Sequence, residues 1–253
     1  NLPAICMDPT SDPLGRVAGE ALWHERYDER RLYKISRAVG ARDWLSMYQQ
    51  TPRNGDGDEF KRDFLRFYQR PAVEIASNMT IYILVDAASS KKKTSDLTAM
   101  VVIGIGADGN KYLLDAVRDR LKLSERAKKL FELHRKWRPR YVGYEQYGQM
   151  ADIEHMLSVM ENENYRFNIT PLGGRMRKEE RIRRLLPDLE NSHWWFPEQL
   201  WYKTVDGKMV DIIDTMIEVE MLPFPVGRND DLIDALSRIY DTEIVKPRGG
   251  GNR

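Results

Sequence analysis

From Thr80 onward the chain changes character, and that change constrains the fold more than any other feature. Ile81-Tyr82-Ile83-Leu84-Val85 is an unbroken apolar, β-branched run that reads as a buried strand ending at Asp86. Leu97 to Ile105 predicts a second strand, Ala107-Asp108-Gly109-Asn110 a turn, and Lys111 to Val117 a third strand. Their short connections make the three antiparallel neighbours. Ser124 then opens a helix through Trp137, with Ala127, Leu130, Phe131 and His134 on one face. Arg140 to Tyr144 is a fourth strand ending at Glu145, followed by a helix from about Gln149 to Met160. Tyr165 to Pro171 predicts a fifth strand, and a very basic helix is expected from about Arg177 to Leu189. Asp206-Gly207 marks a hairpin within Tyr202 to Ile212, and Asp230 to Tyr240 is a final helix with Leu232, Ala235, Leu236 and Ile239 inward. The predicted class is a mixed α/β sheet, three antiparallel strands and then parallel ones, flanked by helices.

The stretch before this sheet is different. It is rich in Arg, Asp, Glu and Tyr, with loop chemistry at Asp12-Pro13-Leu14-Gly15 and Arg53-Asn54-Gly55-Asp56-Gly57. Asp28 to Leu45 is expected to hold one or two short helices. Residues 1–78 therefore read as a connecting arm, 79–245 as the folded domain, and 246–253, with three consecutive glycines, as a disordered tail. A start at Asn1-Leu2-Pro3 reads as that of a piece excised from something longer.

Composition excludes several classes. One cysteine, Cys6, allows no intrachain disulfide framework and fits a reducing compartment. No apolar run approaches the length of a membrane span. Lys plus Arg at 40 against Asp plus Glu at 39 excludes a uniformly basic nucleic-acid binder but leaves room for a local basic face. Gly104-Ile105-Gly106-Ala107-Asp108-Gly109 imitates a dinucleotide fingerprint, yet it is followed by strand rather than helix and reads as a hairpin turn. His24, His134, His155 and His193 show no zinc-like spacing, and no Gly-x-Ser-x-Gly elbow occurs.

The carboxylates carry the chemistry. A right-handed crossover makes the first and fourth strands parallel neighbours, so Asp86 and Glu145 lie side by side at their carboxyl ends. The final helix, opening with Asp230, Asp231 and Asp234, brings a third acid to that point. Crowded carboxylates repel unless cations sit between them, and nothing else nearby in the sequence is expected to neutralise them. Oxygen ligands without Cys or His select Mg²⁺ or Mn²⁺, and two such ions support phosphodiester hydrolysis. Singly the acids have plainer readings: Asp230 as a helix cap, Asp234 as a solvated helix position, Glu145 as a polar strand end.

Val85-Asp86-Ala87-Ala88, Ser95-Asp96-Leu97-Thr98-Ala99, Tyr144-Glu145 and Asn229-Asp230-Asp231-Leu232-Ile233-Asp234-Ala235-Leu236 occur in that order. The ordered set resembles the nuclease domain of the large terminase subunit of tailed bacteriophages. Upstream, Asp12-Pro13-Leu14-Gly15-Arg16, Gly19-Glu20-Ala21-Leu22-Trp23 and Tyr48-Gln49-Gln50-Thr51-Pro52 are similar to the segment preceding that domain. The resemblance implies an RNase H-like fold and a Mg²⁺- or Mn²⁺-dependent endonuclease that cuts concatemeric double-stranded DNA during genome packaging. By position it implies Asp86, Glu145 and Asp231 as catalytic. It extends metal binding to Asp230, Asp234 and Asp96, with two ions during catalysis. Implied partners are DNA, a preceding packaging ATPase domain, a small terminase subunit and a portal, with no membrane, in the host cytoplasm. No Gly-x-x-x-x-Gly-Lys-Ser/Thr occurs, so this piece is not expected to bind ATP in that way.

Six of the ten residues from Arg175 to Arg184 are basic. Helical geometry aligns Arg177, Lys178, Arg181 and Arg184 as a phosphate-tracking ridge, with Arg175 beside it. The plain alternative is a solvated face in which Glu179 and Glu180 pair with Arg183 and Arg184. Lys91, Lys92 and Lys93 form a second candidate contact with DNA. The Asp206-Gly207 hairpin either gates a groove or simply packs its aromatics at an edge. Rival functions are another RNase H-like nuclease (junction resolvase, transposase or integrase) and a non-catalytic DNA-guiding or portal-docking module.

Overall fold

The computed structural model describes residues 2–51, 59–87, 97–145 and 150–247, without the side chains of residues 41, 42, 150 and 151. In chain order the elements are helix α1 (Glu29–Asp43), strand β1 (Phe67–Tyr68), a single turn α2 (Ala72–Ile75), and strands β2 (Thr80–Asp86), β3 (Thr98–Ile105) and β4 (Lys111–Asp119). Then come α3 (Leu123–Trp137), β5 (Tyr141–Glu145), α4 (Met150–Asn162), β6 (Thr170–Leu172), α5 (Lys178–Arg183), α6 (Leu186–Glu190) and β7 (Trp194–Pro197). The hairpin β8 (Trp201–Lys203) and β9 (Met209–Asp211) leads through the short α7 (Ile212–Asp214) and a π-helical stretch (Thr215–Met221) to α8 (Asp231–Ser237).

Among the described residues, seven strands form one sheet in the order β1-β7-β4-β3-β2-β5-β6. β2, β3 and β4 pair antiparallel in the middle, while β5 and β6 on one side and β7 and β1 on the other are parallel additions. This is the mixed sheet the apolar runs imply. Ile83, Leu84 and Val85 are wholly buried because β2 is central and covered on both faces. Each such side chain contributes about 1.5–3 kcal/mol on burial. α8 packs across β2 and β3, against α5.

Several elements differ from expectation. Of the fifth predicted strand, Tyr165 to Pro171, only Thr170 and Pro171 join the sheet, because Tyr165 and Phe167 pack instead against His134 and Phe131 of α3. The single basic helix is two, α5 and α6, divided where Pro187 opens the second and cannot donate a backbone hydrogen bond. α3 begins at Leu123, with Lys122 as its cap residue and Glu125 accepting from the Lys122 backbone N–H at 2.7 Å. The sheet also reaches back before residue 79. β1 pairs with β7, and Phe60 and Leu65 belong to the main hydrophobic core.

Residues 2–51 make their own small cluster. Ile5 bridges Ala21, the buried Arg16 is clasped by Asp12 at 2.7 Å and donates to the Pro3 carbonyl, and Gln49 Oε1 accepts from Ile5 N–H. The Asp-Pro-Leu-Gly-Arg motif is thus a turn locked by its own ion pair. Gly106 to Gly109 forms the β3–β4 turn, with Gly109 in the left-handed region at φ 85°, so the dinucleotide-like glycines are turn residues. Among the described residues no helix is long and apolar enough to cross a membrane. Of the expected tail, residues 248–253 lie outside the described residues.

Candidate metal centre

Asp86 and Glu145 are the last residues of β2 and β5, parallel neighbours in register from Tyr82↔Tyr141 to Val85↔Tyr144. Parallel pairing carries both carboxylates out at the same end of the sheet. Gly143 suits this packing: a Cβ there would come within 2.6 Å of a Leu172 methyl, so a larger residue would force the Leu172 side chain to shift. α8 supplies the third acid. Its Leu232, Ile233, Ala235 and Leu236 are all buried, which draws Asp234 down with them to 1% exposure. One carboxylate oxygen from each of Asp86, Glu145 and Asp234 lies within 4.8 Å of the other two.

Burial, reinforced by the hydrogen-bonded carboxyl of Glu145 and the charge of Asp234, raises Asp86 well above the usual carboxylate range. Burial and the neighbouring acids thus make Asp86 easier to protonate than an exposed carboxylate. The site is also neutralised from within, contrary to the expectation that nothing nearby would do so. Arg181 of α5 donates to Asp234 twice, Nε to Oδ1 and Nη2 to Oδ2, both at 2.6 Å. Lys178 Nζ reaches Asp230 Oδ1 at 2.7 Å and Asp234 Oδ2 at 3.5 Å. Burial opposes the Lys178 charge, but Asp86 and Asp234 outweigh it and raise its pKa. Arg238, just beyond α8 and 1% exposed, pairs with Glu145 and with Asp241.

Asp231, one helical turn before Asp234, faces elsewhere. Its Oδ2 lies 3.3 Å from Arg118 Nη2 on β4, and burial raises its pKa despite Lys178 and Arg118. Arg118 also holds Glu220, at 2.8 Å. Glu220 Oε2 accepts from Leu232 N–H at 2.8 Å and Ile233 N–H at 3.1 Å, so this acid caps the first turn of α8 from outside the helix. The structure thus brings Asp86, Glu145 and Asp234 together and sets Asp231 and Asp230 beside the group, against Arg118 and Lys178. Asp96, Lys91, Lys92 and Lys93 lie outside the described residues.

The basic ridge is divided. Arg175 and Arg177 are exposed, whereas Arg181 is buried on Asp234. Arg184 donates to Asp241 and the Ser237 carbonyl, and Arg183 grips Glu59. The expected pairs of Glu179 and Glu180 with Arg183 and Arg184 are replaced by these longer-range ones. The hairpin β8–β9 is tied to the end of β4, where Asp119 Oδ2 accepts from Tyr202 OH and Val205 N–H.

Sequence reasoning missed Arg118, Arg238 and Glu220. Asp234 itself carried a signal, since a lone charge inside Leu-Ile-Asp-Ala-Leu must be buried and partnered.

The family model described as the terminase RNaseH-like domain matches residues 83–243. The chain belongs to that family. The family match runs from within β2 to beyond α8 and so includes Asp86, Glu145 and Asp234. Similar solved structures include the large terminase nuclease of thermophilic phage G20c with bound magnesium, at 17% identity over 71% of this chain and 93% of that one, with a TM-score of 0.44. The large terminase nuclease domain of Thermus phage P74-26 is 17% identical over 70% and 90%, with a TM-score of 0.42. The human cytomegalovirus terminase nuclease domain is 13% identical over 71% and 90%, with a TM-score of 0.48. No curated protein matches the chain. For this terminase domain the donor set is all carboxylate, converging and partly buried, which fits a hard divalent cation.

Proposed function

We propose that this terminase domain is a metal-dependent endonuclease that cuts double-stranded DNA in a viral genome-packaging motor. The observation that carries the reading is the convergence of Asp86, Glu145 and Asp234 at the carboxyl ends of two parallel strands. These three would hold Mg²⁺ or Mn²⁺, with Asp230 and Asp231 at its edge. When bound, divalent ions supply an activated water and stabilise the leaving oxygen of a phosphodiester.

The chain's own residues set the stage for that chemistry. Rigid β2 and β5 fix Asp86 and Glu145, and Glu220 fixes the start of α8 and hence Asp234. Exposed Arg175 and Arg177, beside α5, contact the DNA backbone and add affinity without sequence preference. The segment before the sheet connects to a preceding packaging ATPase domain, and the small terminase subunit and portal are partners of the whole motor.

The test is cleavage of supercoiled plasmid with Mn²⁺, with Mg²⁺ and with EDTA, beside Asp86→Ala and Asp234→Asn. Cleavage that requires metal and both acids is the expected result. Cleavage in EDTA, or full activity in either variant, overturns the reading.

A further inference from the structure

The carboxylates that this nuclease reading assigns to metal are already matched by a cation of the chain itself. Arg181 is 5% exposed and closes a two-bond fork on Asp234, both bonds at 2.6 Å. Its Nη2 also lies 3.8 Å from Glu145 Oε1. It therefore stands against two of the three converging acids. The other two cations are shared outward, Lys178 with Asp230 and Arg238 with Asp241. Among the described residues, Arg181 makes ion pairs only with Asp234 and Glu145.

A guanidinium forked onto a carboxylate is the strongest geometry available to such a pair. It also places a positive charge against two of the three carboxylates that would hold a divalent ion. Repulsion between charges a few ångströms apart inside a protein changes an equilibrium by factors of ten or more. We infer that Arg181 sets the metal affinity of this centre. It stands in for a divalent ion in the metal-free protein and must give up Asp234 when the ion enters. The inference rests on the reading of Asp86, Glu145 and Asp234 as metal ligands, and it adds the residue that the ion displaces. Arg181 is thereby a positioning residue for the ligands rather than part of a phosphate-tracking ridge.

The experiment is a calorimetric Mg²⁺ titration of the wild-type chain and of Arg181→Gln. The variant is expected to bind Mg²⁺ at least about tenfold more tightly. In parallel, wild-type chain carrying ¹⁵N-arginine is titrated with Mg²⁺, and the Arg181 Nε–H signal is assigned by its loss in Arg181→Lys. That signal is expected to shift along the same isotherm as the heat of binding. If Arg181→Gln does not fold, the wild-type signal decides alone. Equal or weaker binding in Arg181→Gln, or an Arg181 signal that stays fixed while Mg²⁺ binds, overturns the inference and leaves the metal centre standing. No heat in either protein and no shift of the signal overturns both.

Discussion

Asp231 and Asp234 stand one turn apart on the same short helix, yet they enter opposite kinds of surroundings. Asp234 meets two other carboxylates, Asp86 and Glu145, within 4.8 Å. Asp231 meets a guanidinium, Arg118, which it shares with Glu220. In the second cluster the acid Glu220 is spent on backbone N–H groups of Leu232 and Ile233, and the result is a fixed helix start. In the first cluster the acids point at one another and draw their partners from the charged ends of long side chains, Lys178, Arg181 and Arg238. Carboxylates that end on backbone amides build architecture. Carboxylates gathered against each other, with exchangeable counter-charges, are poised to take a cation.

Breaking the converging cluster should have the largest effect. Asp86→Ala is expected to lower plasmid cleavage in Mn²⁺ by at least about a thousandfold, equivalent to ~4 kcal/mol of barrier, with an unchanged far-UV circular dichroism spectrum. Retained cleavage would dissolve the distinction between the clusters. Next, Asp234→Asn should cost about a hundredfold or more in cleavage rate, while Asp231→Asn stays within roughly fivefold of wild type. The reverse order would transfer the ligand role from Asp234 to Asp231.

The architectural cluster is sharpened by pH. Burial pushes Glu220 up from 4.5 to about 7 even beside Arg118. Between those values the folded chain keeps a proton that the unfolded chain has released. Stability therefore falls as pH rises across that window, by about 3 kcal/mol from this group, and is level above it. Glu220→Gln lacks the titration. Urea unfolding at pH 5 and pH 8 should show the variant gaining about 2–3 kcal/mol on wild type between the two conditions. A pH-independent difference would mean that Glu220 is ionised throughout.

The smallest effect concerns the surface. Replacing Arg175 and Arg177 with Ala should weaken DNA binding several-fold and reduce the salt slope by about 2. An unchanged slope would remove both residues from the phosphate contact.

Much of the centre of the fold was legible because β2 and β3 are long apolar runs, a Gly-rich turn separates β3 from β4, and a segment of helical period separates β4 from β5. The parallel adjacency of Asp86 and Glu145 follows from the handedness of the crossover, a rule that needs no side-chain detail. The edges were not legible. Trp194–Pro197 is too short a run to announce a strand, and it becomes β7 only because the amino-terminal end of β4 and the Phe67–Tyr68 segment offer it backbone partners. Tyr165 and Phe167 look like strand residues, but their aromatic packing against α3 held them out of the sheet.

At the site the division has a single physical cause. By itself the sequence determined that acids stand at the ends of two buried strands and at the head of the last helix, since apolar runs must be covered and charges pushed to their ends. Only the tertiary structure decided which acid of α8 turns inward and which cations balance the group. That choice depends on the rotation of one short helix against β2 and β3, and on partners many residues away: Arg181 on Asp234, Arg238 on Glu145, Arg118 between Asp231 and Glu220. Local spacing sets the order of side chains around a helix; the contacts that fix its rotation come from the rest of the molecule.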